Sequence, residues 1–145
     1  MSKKLDILYV DDDIIVVNKP SGILSIGDRF TFNIPSLLSM LRKKYEEVFT
    51  VHRLDKDTSG VVVFARNSDA HKSLSQQFEL KSVSKKYYAF VEGKTEEEGT
   101  IDEPIAESPF VAGKMVVFKK GKPSITHYKT IETLGNISYL DINLE

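Results

Sequence analysis

Apolar and polar residues in the first third of the chain follow two different periods. Residues 6–22, DILYVDDDIIVVNKPSG, form two short β-branched runs separated by aspartates. This pattern predicts two strands around a turn, closed by the Pro-Ser-Gly step. In residues 33–48, NIPSLLSMLRKKYEEV, the apolar side chains recur at helical spacing, as Leu37, Leu41 and Tyr45 illustrate. The second pattern predicts a helix that begins near the Pro-Ser pair of that segment.

The middle of the chain predicts a buried strand followed by an amphipathic helix. Residues 60–65, GVVVFA, are a glycine and a short continuous apolar run, which is typical of a central strand covered on both faces. Residues 67–80, NSDAHKSLSQQFEL, place Ala70, Leu74 and Phe78 on one helical stripe. The asparagine or the serine that starts this segment is the expected N-cap.

The second half of the chain predicts mainly strands. Residues 84–93, SKKYYAFVEG, predict a strand that ends at its final glycine, and the acidic residues 94–104 predict a connection. Residues 113–123 predict a further strand pair, and residues 124–145 predict a hairpin that turns at its Gly-Asn step. Because strands outnumber helices and follow one another through tight turns, we expect an α+β fold. It would be a mixed, mainly antiparallel sheet with helices packed on it.

The composition indicates one domain spanning residues 1–145. The 145 residues are 41% hydrophobic and 28% charged, which is enough for one core, and the absence of cysteine leaves no disulfide framework or zinc-thiolate site. The N-terminus lacks a signal-peptide pattern and no stretch approaches the roughly 20 apolar residues of a membrane span, so we expect a cytoplasmic protein without membrane contact. The net charge of -1 argues against nucleic-acid binding by a bulk positive field, although basic residues cluster locally.

A polar cluster, HRLDKDTSG at residues 52–60, stands directly ahead of the buried run. An extended segment here would point Arg53 and Asp55 to one face and Leu54 to the other. The remainder, DKDTSG, would make a good turn, since its polar side chains can bond backbone N–H groups and Gly60 can supply a positive φ. A turn explains most loop carboxylates, but it does not explain the cation and anion that share one face ahead of the strand.

Few chemistries suit a single carboxylate in these surroundings. The three histidines are scattered without ligand spacing, so we interpret His52 and His127 as structural or solvent-facing and His71 as an exposed helix residue. The sequence contains neither a P-loop nor a G-x-G-x-x-G motif. Nucleophilic or general-base catalysis by one aspartate remains. A carboxylate hydrolase is an alternative, with Asp57 as the nearby candidate for its second acid.

At these residues the chain resembles a known family. HRLDKDTSG, residues 52–60, closely resembles the signature of the RluA-type pseudouridine synthases, which convert uridine in RNA into its C-glycoside isomer. VVNKPSG, residues 16–22, resembles the first motif of that family, and KKYYAFVEG, residues 85–93, resembles the segment that carries its base-contacting tyrosine. The motifs agree in order and spacing over about residues 5–145, which makes the resemblance far more specific than one short motif.

The resemblance implies roles for several residues of this chain. Asp55 would be the catalytic aspartate, Arg53 would fill the gap left by an extruded nucleotide, and Tyr87 would stack on the uracil. The resemblance implies no metal and no cofactor, and it leaves open whether Asp55 attacks C1′, attacks C6 or removes a 2′ proton. Sheet packing is the alternative role for Tyr87 and the expected role for Tyr88, and a surface ion pair is the alternative for Lys19. The expected substrate-binding residues are Arg53, Tyr87, Lys19, Pro20, His52, Leu54 and Thr58.

The sequence departs from the family pattern after residues 139–145, YLDINLE. In the family, a similar strand continues into a Thr-Gly-Arg segment whose basic residue pairs with the catalytic aspartate, whereas this sequence ends at Glu145. We therefore expect a chain truncated before the last catalytic motif, with reduced or absent turnover because Asp55 would lack a cationic partner. We also expect residues 138–145 to form an unpaired strand edge through which the chain would self-associate.

The resemblance also implies a partner, which would be ribosomal or transfer RNA. No separate N-terminal RNA-binding domain is expected, because the resemblance begins almost at the first residue. Phosphate contacts would come from lysines such as Lys85, Lys86 and Lys119. A non-catalytic RNA-binding fragment is the alternative to an active isomerase.

Overall fold

The computed structural model describes residues 5–27 and 34–145. The chain forms two compact units, Met1–Ser82 and Val83–Glu145. The first unit contains one sheet and the second contains two, so each unit is described by itself. That both units belong to one domain, as the composition indicates, stays a prediction.

The first unit contains four strands, which are β1 (Asp6–Val10), β2 (Ile14–Lys19), β3 (Phe49–Thr50) and β4 (Gly60–Ala65). They form one antiparallel sheet in the order β1-β2-β4-β3. Between β1 and β2, the carboxylate of Asp11 accepts hydrogen bonds from the next backbone N–H groups and so closes the turn. The two strands around an aspartate turn and the central position of β4 are confirmed.

One face of this sheet forms the core of the first unit. Ile15 lies opposite Phe64 and Val17 lies opposite Val62 across the β2–β4 pair, and all four side chains are fully buried. Val61 points to the other face and is 60% exposed. The expectation that β4 is covered on both faces is therefore wrong at this position, because successive side chains of a strand point to opposite faces.

The first helix, α1 (Leu37–Leu41), is shorter than the sequence pattern predicts. It begins at Ser36, whose side chain accepts from the N–H of Ser39 in a capping box. After the helix, the guanidinium of Arg42 donates twice to the carbonyl oxygen of Val48, which closes a loop where further helical turns were expected. Residue 33, at the start of the predicted segment, lies outside the described residues.

The second helix, α2 (Ser68–Glu79), follows β4 with Asn67 as its N-cap, which confirms the prediction. His71, expected to be an exposed helix residue, is instead half-buried. Its ring stacks on Phe49 of β3 with centroids 5.3 Å apart, and its Nε2 lies 3.2 Å from the carbonyl oxygen of Thr50. The difference arises because α2 packs against β3 and β4 along the side that carries His71.

The second unit contains the remaining strands, which are β5 (Lys85–Glu92), β6 (Glu98–Asp102), β7 (Ile105–Glu107), β8 (Met115–Val117), β9 (Ile125–Leu134) and β10 (Ile137–Leu144). Four of them form an antiparallel sheet in the order β5-β10-β9-β6, and β7 pairs with β8 in a separate hairpin. The β9–β10 hairpin confirms the predicted turn, with Gly135 at φ +62°. The predicted connection over residues 94–104 is wrong, because β6 within it pairs with β9.

The predicted free edge at residues 138–145 is also wrong. β10 pairs along its whole length with β5 on one side and with β9 on the other. Ser138 and Leu140 in this strand are accordingly buried. Since the backbone groups of β10 are already paired, self-association through this strand loses its physical basis.

The named strands of the described residues pair antiparallel, and two helices accompany them, which confirms the α+β fold class. Within residues 5–27 and 34–145, neither helix has the length and apolar content needed to cross a membrane.

Candidate active site

The signature residues 52–60 connect β3 with β4 and belong to neither strand until Gly60. Leu54 is 7% exposed, whereas Arg53 and Asp55 on either side of it are exposed. This alternation confirms the prediction from the sequence. Leu54 anchors the segment in the core, and the guanidinium and carboxylate beside it are left in solvent.

A tight turn follows Asp55 directly. The N–H of Thr58 donates to the carbonyl oxygen of Asp55 at 3.2 Å, which closes a four-residue turn. Gly60 then enters β4 with φ +134°, which confirms the positive φ expected there. A Cβ on Gly60 would meet Leu54 Cδ1 at an ordinary 3.8 Å, so the backbone conformation and not the space requires glycine.

Lys19, the last residue of β2, holds this turn from inside the protein. Its side chain has no exposed surface, and Nζ donates to the carbonyl oxygens of Pro20 at 3.2 Å, Ile23 at 2.7 Å and Lys56 at 2.8 Å. These carbonyl groups replace the water that an ammonium loses on burial. The alternative that Lys19 forms a surface ion pair is therefore wrong.

The charge of Lys19 is coupled to the carboxylates of the turn. Burial lowers the pKa of its ammonium below the usual value, and the nearby carboxylates of Asp57 and Asp55 oppose that shift by favouring the charged form. The site thus combines an exposed carboxylate at Asp55 with a buried cation on the inner side of the same turn.

The loop after β2 is tied to the turn by its backbone as well. The N–H of Gly22 donates to the carbonyl oxygen of Lys56 at 2.9 Å, so that oxygen accepts from both Gly22 and Lys19. Gly22 has φ +83°, which explains the glycine at this position. Pro20, which is exposed, contributes its carbonyl oxygen to the Lys19 site.

Ser25, absent from the sequence predictions, also binds the signature segment. Its side chain is almost fully buried and makes two hydrogen bonds to the backbone of Leu54. The only sequence signal is a small hydroxyl residue within the apolar run ILSI. Such a residue is common in apolar segments, and nothing local connects it with Leu54 in a distant part of the chain.

His52 is held by β4 and α2. Its Nε2 accepts a hydrogen bond from the N–H of Val63 at 3.1 Å, and its ring stacks on Phe78 with centroids 4.6 Å apart. Burial lowers the pKa of the imidazole, which favours the neutral form that can accept this bond. These contacts agree with the structural interpretation of His52.

His127 makes two polar contacts in the second unit. Its Nδ1 lies 2.8 Å from Thr100 Oγ1, and its Nε2 lies 3.0 Å from Glu145 Oε1. The ring thus connects β9 with β6 and with the last residue of the chain, as a structural role would require.

The second unit presents Tyr87 and Tyr88 on opposite faces of β5. Tyr87 is half-buried, and Tyr88 is 57% exposed with its ring 6.0 Å from that of Tyr139. The ammonium of Lys86 donates to the carboxylate of Asp141 at 2.8 Å, and this hydrogen bond raises the pKa of Lys86. The charge of Lys86 is therefore already compensated within the sheet.

The fold is shared with a solved structure. The human protein RNA Pseudouridylate Synthase Domain Containing 4 matches with a TM-score of 0.70 and 31% identity, covering 96% of this chain and 58% of that chain. The fold is therefore that of a pseudouridylate synthase domain.

Comparison of the sequence identifies the family. The family model for RNA pseudouridylate synthase matches residues 13–145, and the chain belongs to that family. The dual-specificity RNA pseudouridine synthase RluA of Vibrio parahaemolyticus is 44% identical over 126 residues, which are 86% of this chain and 50% of the relative. The ribosomal large subunit pseudouridine synthase D of Nitrosomonas europaea is 34% identical over 146 residues, 97% of this chain and 42% of the relative. The chain thus spans about half the length of these relatives.

Proposed function

We propose that this chain isomerises uridine to pseudouridine in RNA, with Asp55 as the catalytic carboxylate. The observation that carries the proposal is that hydrogen bonds hold the backbone on both sides of this exposed residue. Ser25 binds the backbone of Leu54, while Lys19 and Gly22 bind the carbonyl oxygen of Lys56. A carboxylate that must meet a sugar in one geometry has to be accessible and set in advance, and Asp55 is exposed on a backbone that is held on both sides.

The reaction needs only one carboxylate. The bond between ribose C1′ and uracil N1 breaks, the base rotates in place, and C1′ joins C5. The C5 hydrogen leaves as a proton and N1 becomes protonated, so the product is an isomer and no oxidant or water is consumed. Asp55 would act as the nucleophile or the base in this sequence.

The other predicted residues would bind the extruded nucleotide. Flipping a base costs a few kcal/mol, and the exposed Arg53 beside Asp55 would fill the space that the base leaves. Tyr87 would stack on the uracil, a contact worth about 1–3 kcal/mol. The residues that would form or support the floor of the site are Lys19, Pro20, His52, Leu54 and Thr58.

Basic side chains in and directly after the β7–β8 hairpin would contact the RNA backbone. Four lysines there, the hairpin lysines, are exposed, and Phe110 in the same segment is 93% exposed. They would pair with phosphates without reading sequence. The RNA would be ribosomal or transfer RNA in the cytoplasm. In support, the names of the two relatives refer to RNA and to the ribosomal large subunit. The hairpin lysines are Lys114, Lys119, Lys120 and Lys122.

Tritium release from RNA carrying 5-tritiated uridine tests the proposal, because only isomerisation through C5 frees that hydrogen. We expect release by the chain at a reduced rate, and a further loss of at least about 100-fold in the Asp55→Asn variant. Asp57→Asn, an exposed carboxylate on the same turn, is the matched control and should retain most of the rate.

Other outcomes would replace the proposal. RNA binding without release by the parent chain would support an RNA-binding fragment without turnover. Cleavage of a glycoside that depends on both Asp55 and Asp57 would support a carboxylate hydrolase.

A further inference from the structure

A single buried hydroxyl satisfies the backbone of the residue that precedes Asp55. Ser25 is 2% exposed, and its Oγ donates to the carbonyl oxygen of Leu54 at 2.7 Å and accepts from the N–H of Leu54 at 3.1 Å. Leu54 lies outside the strands and is itself buried. Its backbone polar groups therefore need partners other than water, and the serine supplies both.

Ser25 is in turn fixed to the first turn of α1. Its carbonyl oxygen accepts from the N–H of Leu38 at 3.1 Å, and the carbonyl oxygen of Leu24 accepts from the N–H of Leu37 at 2.9 Å. These are first-turn N–H groups that have no partner within the helix. The backbone of Ser25 is thus bound to a helix while its side chain is bound to the signature segment.

We infer that Ser25 is a positioning residue for Asp55. Its hydroxyl fixes the peptide group between Leu54 and Asp55, and with it the direction in which the carboxylate leaves the backbone. The inference rests on the proposed role of Asp55. A displacement of about 1 Å in a reacting group can cost a factor of about 100 in rate, so loss of this hydroxyl should act on turnover.

A second serine of the same kind provides a matched control. Ser138 in β10 is fully buried, and its Oγ donates to the carbonyl oxygen of Gly93 at 2.8 Å and accepts from the N–H of Thr95 at 3.1 Å. Ser25 and Ser138 thus make the same pair of backbone bonds, but only Ser25 makes them next to Asp55. Both Ser25→Ala and Ser138→Ala should lower the stability of the chain, but only Ser25→Ala should lower turnover.

The experiment measures single-turnover tritium release for Ser25→Ala, Ser25→Cys, Ser25→Thr and Ser138→Ala, with folding checked by circular dichroism. We expect Ser25→Ala to lower the maximal rate constant by about 10- to 100-fold while the RNA concentration for half-maximal rate changes less than about twofold. Cysteine fills the same space but bonds weakly, so it should behave like alanine, whereas threonine keeps the hydroxyl and should restore most of the rate. Ser138→Ala should stay within about twofold of the parent.

The outcomes separate this inference from the proposed function. If Ser25→Ala loses no more rate than Ser138→Ala, Ser25 is only structural and the role of Asp55 stands. If Asp55→Asn releases tritium as fast as the parent, or the parent releases none, the proposed function fails and the inference fails with it. If Ser25→Ala does not fold, the comparison between Ser25→Cys and Ser25→Thr decides.

Discussion

Replacement of Lys19 by methionine tests whether the buried ammonium stabilises the site loop. Methionine keeps the apolar stem of the side chain and removes the charged donor. The carbonyl oxygens of Pro20 and Ile23 would lose the bond from Nζ, while that of Lys56 would keep the bond from the N–H of Gly22. The substitution therefore affects two carbonyl groups fully and a third in part.

The magnitude follows from these contacts. A buried carbonyl group that loses its partner costs about 1–3 kcal/mol; this applies to the half-buried Ile23, whereas the carbonyl oxygen of the exposed Pro20 can bond water instead. The substitution offsets part of this loss of stability, because the chain no longer has to desolvate an ammonium. The same desolvation lowers the pKa of Lys19. We expect the free energy of unfolding of the first unit to fall by about 1–2 kcal/mol.

Urea unfolding by circular dichroism measures this loss, and amide hydrogen exchange in β4 assigns it to the first unit. Lys43→Met, an exposed lysine in the same unit, is the matched control and should change stability by less than about 0.5 kcal/mol. Lys19→Arg should not restore stability, because a planar guanidinium does not match a compact ring of carbonyls. A loss for Lys19→Met no larger than that of the control would refute the reasoning.

Three further predictions follow from other parts of the chain. Burial lowers the pKa of His52, so the unfolded chain takes up a proton before the folded chain does as the pH falls below the ordinary value of 6.5. The stability that neutral His52 contributes is therefore present above that pH and is lost as the pH falls toward the lower pKa of the folded chain. Urea midpoints measured from about pH 7.5 to pH 5 should fall more steeply in the parent than in His52→Gln, and equal slopes would contradict this. Lys81→Gly should raise stability by about 0.5–1 kcal/mol in the same urea assay, since Lys81 ends α2 at φ +53°, and a decrease would count against it. Changing the hairpin lysines to glutamine should weaken RNA binding and reduce the slope of log Kd against log salt by up to about 3. Lys86→Gln, which removes an ion-paired lysine, should leave that slope nearly unchanged. A larger change of slope for Lys86→Gln than for the hairpin lysines would exclude the hairpin as the phosphate contact.

The sequence by itself determined the features that depend on neighbouring residues. The period of two around Leu54 placed Arg53 and Asp55 in solvent, because adjacent side chains of an extended segment must point to opposite faces. The N-cap at Asn67 and the positive φ at Gly60 follow from the chemistry of single residues. The signature motif in residues 52–60 was likewise visible without coordinates, and the family assignment agrees with it.

Only the tertiary structure decided the features that need a distant partner. The extent of α1 depended on Arg42 reaching Val48, and the strand character of residues 98–102 depended on pairing with β9. The burial of Lys19 depended on carbonyl groups from two separate loops. The hydrogen bonds between Ser25 and Leu54 join residues that are far apart in the chain. The position of one serine in a sequence does not indicate which distant backbone group its hydroxyl will bind. Local patterns therefore reveal which residues face the solvent, whereas the contacts that hold the backbone around Asp55 arise only when the chain brings separate segments together.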